Sequence, residues 1–369
     1  MPGYEPTRPP GLIWWEYVSG PSRFLRKAAE ALCEGKHLCL DVPRSFPWRG
    51  SFFERLKDAV REFDNGLLFE EIIDFDGEPG ELLVRHFNSE SAYRPTKTYS
   101  EFFKQSKALD RCVVCVLAET EESVRGWMDF AKEFRPTAYH SGLVLLEAYG
   151  KPQGMTAKHI RVLSYDDYIT EYDAQIFAEL LIPDYTPTDD SLSIRQKKYI
   201  TALAVSLFGT DAPGVADFVM GFRFDAELLD LLNSAVQLQD DELRQRVWNA
   251  QVQTLFPMIM QEGREFIDDW RGRIEDAFAY ADKSLSGGIV DSKGDRISSP
   301  DEMEVATICY MMRTRRRRPD GEETGEYLLF IPDETSRARI ELLYDMRNRI
   351  AHGKVCSPTD VKKLMNPLR

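Results

Sequence analysis

The sequence predicts an α/β domain with a mostly parallel sheet, followed by an all-α domain. Residues 1–183 alternate short apolar runs with amphipathic segments, which is typical of parallel strands connected by helices. From about residue 190 onward the pattern is almost purely helical. Residues 184–191 are rich in proline and acid, which predicts a linker. The predicted domains therefore span residues 1–183 and 192–369, a division for which 369 residues are sufficient.

The elements of the first half are predicted from their periodicity. Segment 51–63 places Phe52, Leu56, Val60 and Phe63 on one face, which predicts an amphipathic helix. The other predicted helices are 21–35, 99–109, 120–134 and 170–182. The predicted strands are 37–42, 67–75, 112–119, 142–149 and 160–168. Their apolar character predicts a sheet that helices cover on both faces.

The second half is predicted from helical periodicity over longer segments. The predicted helices are 193–209, 225–239, a long run at 241–281, 300–315, 333–352 and 358–366. Residues 284–300 are rich in glycine, serine and charge, which predicts an exposed loop between two of these helices.

Composition excludes several classes of protein. The apolar fraction of 43% is that of a globular protein, and no apolar stretch approaches the roughly 18–20 residues of a membrane span. The N-terminus lacks the basic start and apolar run of a signal peptide, so we expect a cytoplasmic protein and no membrane partner. The formal net charge of −14 argues against nonspecific coating of nucleic acid, because phosphate repels an acidic protein.

The cysteines and most histidines carry no metal-binding or catalytic pattern. Cys112 and Cys115 form a C-x-x-C pair, but it lies within an apolar run, and no second Cys/His pair stands at zinc-finger spacing. We therefore expect buried thiols, no metal and no cofactor. Four histidines are predicted to be structural: His37, His86, His140 and His159.

The loop after the first predicted strand lacks the chemistry of a phosphate-binding loop. Residues 43–50 contain two prolines and a tryptophan but no lysine, whereas a Walker loop needs glycines and a lysine. Glu119 stands roughly where a Walker B acid would stand. The first half resembles a degenerate P-loop or AAA-type domain, which implies sensing or docking rather than ATP hydrolysis. A CARF-like sensor of cyclic oligonucleotides is an alternative, although its usual N-terminal strand and glycine loop are absent.

The segment from Leu343 to Gly353 contains the pattern R-N-x-x-x-H at the end of a predicted helix. Histidine exchanges a proton near neutral pH and arginine binds phosphate through two hydrogen bonds, so these residue types suit RNA cleavage without a metal. Asn348 and His352 are four residues apart and share a helix face. Arg347 and His352 diverge by about 140° around an ideal helix. Gly353 suits the left-handed conformation that ends many helices.

This segment resembles the signature of the HEPN superfamily of helical nucleotide-binding proteins and ribonucleases. Residues 300–366 also follow the usual order of elements at the end of a HEPN domain. The resemblance implies that His352 is the general acid or base, that Arg347 stabilises the charged phosphorane, and that Asn348 orients phosphate or histidine. It further implies 2′,3′-cyclic phosphate products and a site shared across a homodimer or with a HEPN partner. Many HEPN domains bind nucleotides or dimerise without cutting, so activity stays open.

A dense basic cluster precedes the motif: Arg313, Arg315, Arg316, Arg317 and Arg318. One interpretation is contact with the RNA backbone, to which Arg349 would contribute. The other is a solvated helix end, because cations are favourable near a helix C-terminus.

Together these features predict a metal-independent endoribonuclease that acts as a regulated toxin or effector in prokaryotic antiphage defence. The defence setting follows from the family resemblance and not from any residue. The alternative is a non-catalytic HEPN subunit that mediates dimerisation and assembly of a defence complex, with the α/β half docked on a partner protein.

Overall fold

The chain folds into two compact units, an α/β unit and a largely helical unit. The computed structural model describes residues 8–72, 77–136, 142–150, 157–182, 192–222, 240–284, 288–290, 294–317 and 322–366. The first unit consists of residues 1–181 and 209–216, and the second of residues 182–208 and 217–369. An α/β region followed by a mainly helical region confirms the predicted fold class.

Some predicted features lie outside the described residues, and one segment differs from its expected place. The predicted linker 184–191 and the predicted helix 225–239 are not described. Residues 209–216, which the sequence pattern places in the second half, belong to the first unit. No helix among the described residues is long and apolar enough to cross a membrane.

Parallel strands form the sheet of the first unit. They are β1 (His37–Asp41), β2 (Leu68–Ile72), β3 (Cys112–Ala118), β4 (Leu143–Ala148) and β5 (Ile160–Ser164). Their order is β2-β3-β4-β1-β5, so β1 lies between β4 and β5. In register, Leu38 of β1 lies opposite Leu145 of β4 and Arg161 of β5. All residues of β4 are buried, as expected for a parallel sheet covered on both faces.

Helices lie on both faces of this sheet. They are α1 (Pro10–Tyr17), α2 (Ser19–Cys33), α3 (Arg49–Arg61), α4 (Pro79–His86), α5 (Tyr99–Ser106), α6 (Glu121–Glu133) and α7 (Glu171–Leu181). Helices α1, α2, α3 and α7 contact one another, whereas α4 contacts α5 and α6. Val114 and Val116 of β3 pack in the core with α4, α5 and α6, so Val113 and Cys115 face the opposite side.

One residue of the predicted amphipathic face of α3 is placed differently. Phe52, Leu56 and Val60 are buried, as predicted, but Phe63 is 74% exposed. The helix ends at Arg61, so Phe63 lies beyond it and no longer follows its 3.6-residue period.

His37 confirms the structural role predicted for it. Its Nε2 donates to the Phe134 carbonyl oxygen at 2.6 Å, and its Nδ1 accepts from the Val144 backbone N–H at 2.9 Å. Burial lowers the pKa of His37 from 6.5 to about 4, so the ring is neutral near neutral pH. The neutral ring thus connects β1 to β4 and to the end of α6.

After residue 192 the described chain is mainly helical, and the helix at residues 212–221 spans the division between the units. The helices are α8 (Ile194–Phe208), α9 (Ala212–Gly221), α10 (Asp240–Asp269), α11 (Arg271–Ser284), α12 (Val305–Arg313), α13 (Glu334–Ala351) and α14 (Pro358–Met365). The long run predicted at 241–281 is therefore two helices, which separate at Trp270. Helix α10 contacts α8 and α13, and α13 also contacts α12 and α14.

A buried ion-pair network connects four of these helices. Arg339 of α13, whose side chain is 8% exposed, donates to both carboxylate oxygens of Glu262 of α10 at 2.8 and 2.9 Å. Arg195 of α8 forms an ion pair with the same carboxylate. The Arg339 guanidinium also donates to the carbonyl oxygens of Lys363 and Leu364 in α14, at 2.5 and 2.6 Å. This network connects the first turns of α13 with α8, α10 and α14.

Two short antiparallel strand pairs within the second unit are absent from the sequence prediction. Strands β6 (Ile289–Val290) and β7 (Arg296–Ile297) lie within the predicted loop. Strands β8 (Arg315–Arg317) and β9 (Glu323–Tyr327) form a hairpin directly after α12. The interpretation of the arginine cluster as a helix end is therefore wrong for β8 and, among the described arginines of the cluster, holds for Arg313.

Candidate active site

Helix α13 ends in a glycine cap that places His352 as the last residue before the turn. Gly353 has a φ of +70°, the left-handed conformation predicted for it. Its N–H donates to the Ile350 carbonyl oxygen at 3.1 Å, and the N–H of Lys354 donates to the Arg349 carbonyl oxygen at 2.8 Å. These two bonds are those of a Schellman motif, which fixes the direction of the chain after the helix.

A cavity of about 490 Å³ lies at this end of α13. It is lined by Leu342, Asp345, Met346, Asn348, Arg349, His352, Lys354 and Asp360. Residues three and four apart share a helix face, so Asp345, Asn348, Arg349 and His352 form one patch. Met346 is buried beneath that patch, while His352 is exposed. The volume falls within the range of pockets that bind small organic ligands, roughly 300–1,000 Å³.

Side chains of helix α10 form hydrogen bonds with the backbone at this end of α13. The Trp248 indole N–H donates to the Ile350 carbonyl oxygen at 2.8 Å. The Gln251 side chain accepts from the Cys356 N–H at 2.7 Å and donates to the Cys356 carbonyl oxygen at 3.1 Å. The backbone on both sides of His352 is therefore hydrogen-bonded to one helix, α10, which supports a preorganised site.

Arg347 lies beside the cavity and does not line it. Its Nη2 donates to a carboxylate oxygen of Glu304, the residue before α12, at 2.9 Å. Its Nη1 donates to the Asn348 side-chain oxygen at 3.2 Å. Asn348 and His352 thus share one cavity, while Arg347 reaches that cavity only through Asn348, as the angle of about 140° leads one to expect.

The cavity carries charges of both signs. Among the described residues, no ion pair or side-chain hydrogen bond engages Asp345, Arg349 or Lys354, so all three are available to a ligand. The Asp360 carboxylate instead accepts from the Ser357 hydroxyl at 2.8 Å. The Asp360 backbone N–H donates to the same Ser357 oxygen at 3.1 Å, which caps α14. Arg349 and Lys354 suit a phosphate, whereas Asp345 suits a hydrogen-bond donor such as the exocyclic amine of a base.

Of the predicted RNA-contacting arginines, Arg349 lies on α13 and lines the cavity, whereas Arg313 ends α12 and residues 315–317 form β8. The Arg313 guanidinium lies over the ring of Tyr344, on α13, with 5.3 Å between the guanidinium carbon and the ring centroid. Tyr344 is one turn before Asn348 on α13, so Arg313 contacts the same helix that presents Asn348 to the cavity. Arg318 lies outside the described residues.

Sequence reasoning found part of this site and missed the rest. Asp345 is visible from its spacing, one turn before Asn348. Glu304, Lys354 and Asp360 carry no such signal, because they reach the site from outside α13. Only the packing of α12 against α13 and the turn after Gly353 bring them there.

The thiols do not form a metal site. Among the residues that the structure describes, no group of three or more His, Cys, Asp or Glu side chains has the arrangement to hold a metal ion. Cys112 and Cys115 are buried in β3 and unpaired, as predicted. Burial raises the pKa of each thiol to about 12, which keeps both protonated and unreactive.

In the first unit, aromatic side chains fill the loop after β1. Phe46 is buried, and the Trp15 indole N–H donates to the Pro47 carbonyl oxygen at 3.2 Å. Trp48 ends the loop with a φ of 43°, a strained conformation for a bulky residue. A glycine-rich phosphate loop would instead present open backbone N–H groups at the start of α3. Glu119, the expected counterpart of a Walker B acid, is exposed just after β3.

Comparison with known proteins does not assign the chain to a family. No protein-family model matches the chain, and no curated protein matches it by sequence. Among solved structures, RIF2 of Saccharomyces cerevisiae aligns at 12% identity and a TM-score of 0.31, over 63% of this chain and 89% of that chain. PCH-2 of C. elegans aligns at 12% identity and a TM-score of 0.27, over 57% of this chain and 71% of that chain. Likenesses at this level carry no argument about function.

Proposed function

We propose that the second unit is a HEPN-type endoribonuclease that cuts RNA without a metal ion at the cavity of α13. The observation that carries this proposal is the shared cavity of Asn348, Arg349 and His352, next to an Arg347 that is hydrogen-bonded to Asn348. This arrangement puts a proton-transfer group and the cation of Arg349 in one cavity, with the cation of Arg347 beside it.

The chemistry that fits these residues is attack by a ribose 2′-hydroxyl on the adjacent phosphorus. His352 takes the proton of that hydroxyl as general base, or gives one to the leaving group as general acid. A bond forms between the 2′-oxygen and phosphorus, and the bond from phosphorus to the 5′-oxygen breaks. Arg347 and Arg349 stabilise the phosphorane, and Asn348 orients Arg347 or the phosphate. The products carry 2′,3′-cyclic phosphate and 5′-hydroxyl ends.

A homodimer completes the proposed site. In one chain Arg347 is engaged by Glu304 and lies outside the cavity that His352 lines. A second α13, placed beside the first across a twofold axis, would bring the partner's arginine towards this cavity. The HEPN resemblance implies the same pairing, and a different HEPN partner could take the place of the second copy.

The proposal is tested by mapping the ends of cleaved RNA. Purified protein is incubated in EDTA with end-labelled single-stranded RNA and with the same RNA carrying one 2′-deoxynucleotide at the mapped cut. Cleavage to cyclic phosphate ends, lost only at the deoxy position, is the expected result. Cleavage that requires a divalent ion, or that continues at the deoxy position, would contradict it.

The alternative is a non-catalytic HEPN subunit that serves dimerisation and assembly. One observation favours it, because the Arg347–Glu304 ion pair gives the motif arginine a structural role between α12 and α13. Under this alternative, Arg347→Ala weakens the dimer, as measured by analytical ultracentrifugation, and wild-type protein leaves RNA intact.

We place the first unit as a sensing or docking module that controls the second. The aromatic loop after β1 supports a role other than ordinary ATP hydrolysis. The proposed setting is a regulated toxin or effector of a prokaryotic antiphage system, in the cytoplasm, with a defence protein as its partner. Measuring ATP turnover by the purified chain tests this part, since turnover would return the first unit to the class of nucleotide-driven enzymes.

A further inference from the structure

The β8–β9 hairpin pairs a basic strand with an acidic one. Residues 313–317 contain four arginines, and residues 322–326 contain three glutamates. Arg316 lies 3.4 Å from the Glu326 carboxylate, and Arg317 lies 3.4 Å from the Glu323 carboxylate. The acidic strand thus neutralises the arginines that precede it in the chain.

These ion pairs are weak enough to exchange. Both have long nitrogen–oxygen distances, and the Glu326 and Glu323 side chains are 74% and 57% exposed. Exposed pairs of this kind contribute little because water screens them. A phosphate oxygen accepts the same hydrogen bonds as a carboxylate, so a phosphodiester chain can replace the glutamates one for one.

Aromatic rings lie against two of the guanidinium groups of β8. Arg315 lies 4.5 Å from the ring centroid of Tyr327, and Arg316 lies 4.7 Å from that of Tyr280. The Tyr280 hydroxyl donates to the Arg317 carbonyl oxygen at 2.6 Å, which fixes β8 against α11. The Nε of Arg316 is buried and has no hydrogen-bond partner among the described residues. Stacked, preorientated arginines with neighbouring tyrosines are suited to single-stranded nucleic acid.

We propose that this hairpin binds single-stranded RNA by exchanging the carboxylates of Glu323 and Glu326 for RNA phosphates. In the absence of RNA, the two glutamates form ion pairs with Arg316 and Arg317, and RNA phosphates compete with them for these arginines. The inference rests on the proposed function, since it supplies the entry surface for the site on α13. It also explains how a chain with a net charge of −14 can contact RNA locally.

The test is a binding measurement in a background that does not cut. Every variant carries His352→Ala, and the ligand is a fluorescein-labelled single-stranded RNA of about 12 nucleotides, within known single-strand site sizes. The hairpin variant carries Glu323→Gln and Glu326→Gln. The matched control carries Glu54→Gln and Glu62→Gln, which replace two exposed glutamates of the first unit and change the net charge by the same amount. Circular dichroism confirms that each variant is folded.

We expect the hairpin variant to bind RNA roughly 2- to 30-fold more tightly, the range that follows from releasing two exposed ion pairs. The matched control is expected to stay close to the parent protein. Arg316→Gln with Arg317→Gln should weaken RNA binding. Adding the two glutamate changes to this variant should not restore RNA binding, because the arginines that pair with those glutamates are already gone.

Three results would overturn the inference. They are equal binding by the hairpin variant and the parent, equal tightening by the matched control, and tightening by the glutamate changes when both arginines are already glutamine. Failure of the proposed function looks different. Wild-type protein would then leave RNA intact in EDTA, while the glutamate variant still bound RNA more tightly than its control.

Discussion

Replacing Arg339 with methionine is expected to destabilise the second unit strongly. The change removes two hydrogen bonds to Glu262 and two to the carbonyl oxygens of Lys363 and Leu364. The Glu262 side chain is only 11% exposed and, of the partners that the described part of the chain supplies, would keep Arg195. Removing one member of a buried pair costs about 3–5 kcal/mol, because the other charge remains buried without compensation.

This loss is large enough to measure by calorimetry. For domains of roughly 150–250 residues, each kcal/mol lowers the melting temperature by about 2–4 °C, so the midpoint should fall by about 10 °C. The matched control is Arg244→Met, which breaks an exposed pair with Asp241 on the same helix, α10. That control is expected to leave the midpoint nearly unchanged.

The outcome that would refute this reasoning is an equal midpoint shift for Arg339→Met and Arg244→Met. A second comparison tests the cause. Glu262→Leu combined with Arg339→Met removes both charges, so the double variant should be less destabilised than the sum of the single variants. A strictly additive result would mean that the charges do not act as a pair.

Three further predictions concern the core and the site. As the pH falls from 6.5 to about 4, the free energy of unfolding of the first unit should fall by up to about 3 kcal/mol, because His37 binds a proton more readily in the unfolded chain than in the buried site. In urea titrations, His37→Asn should make this free energy less dependent on pH. Gly353→Ala should cost about 1–2 kcal/mol by thermal unfolding, since alanine is strained at a φ of +70°. Glu304→Gln should change the free energy of unfolding by less than about 1 kcal/mol and leave RNA cleavage undiminished, because the exposed pair it breaks holds Arg347 outside the cavity.

Periodicity predicted the long elements well and the short ones poorly. The apolar runs of β3 and β4 and the amphipathic pattern of α6 match the structure closely, because a face buried over many residues imposes its period on the sequence. Helices α1 and α4 have eight residues each and no side-chain cap, and both were missed. The equally short α5, which was predicted, begins with a capping box. The hairpin strand β8 was also missed, since three arginines carry no apolar alternation.

The candidate site was also predicted only in part. Asn348, His352 and Gly353 belong to one helix end, so spacing alone predicted their shared face and the left-handed cap. Lys354 and Glu304 reach the site through tertiary packing, which a single sequence does not reveal. The pairing of the β9 glutamates with the arginines of β8 depends on the hairpin register, which a single sequence does not reveal either.

The central claim is that His352 cuts RNA without a metal ion, and the most direct test is the cleavage rate of one variant. Wild type, His352→Ala and, as a matched control, His86→Ala from the first unit are incubated with labelled RNA in EDTA. We expect wild type and the control to cleave to 2′,3′-cyclic phosphate ends at equal rates. His352→Ala should be slower by about 10²–10⁴-fold, the contribution of a positioned acid or base. Equal cleavage by His352→Ala, or no cleavage by a well-folded wild-type dimer, would contradict it.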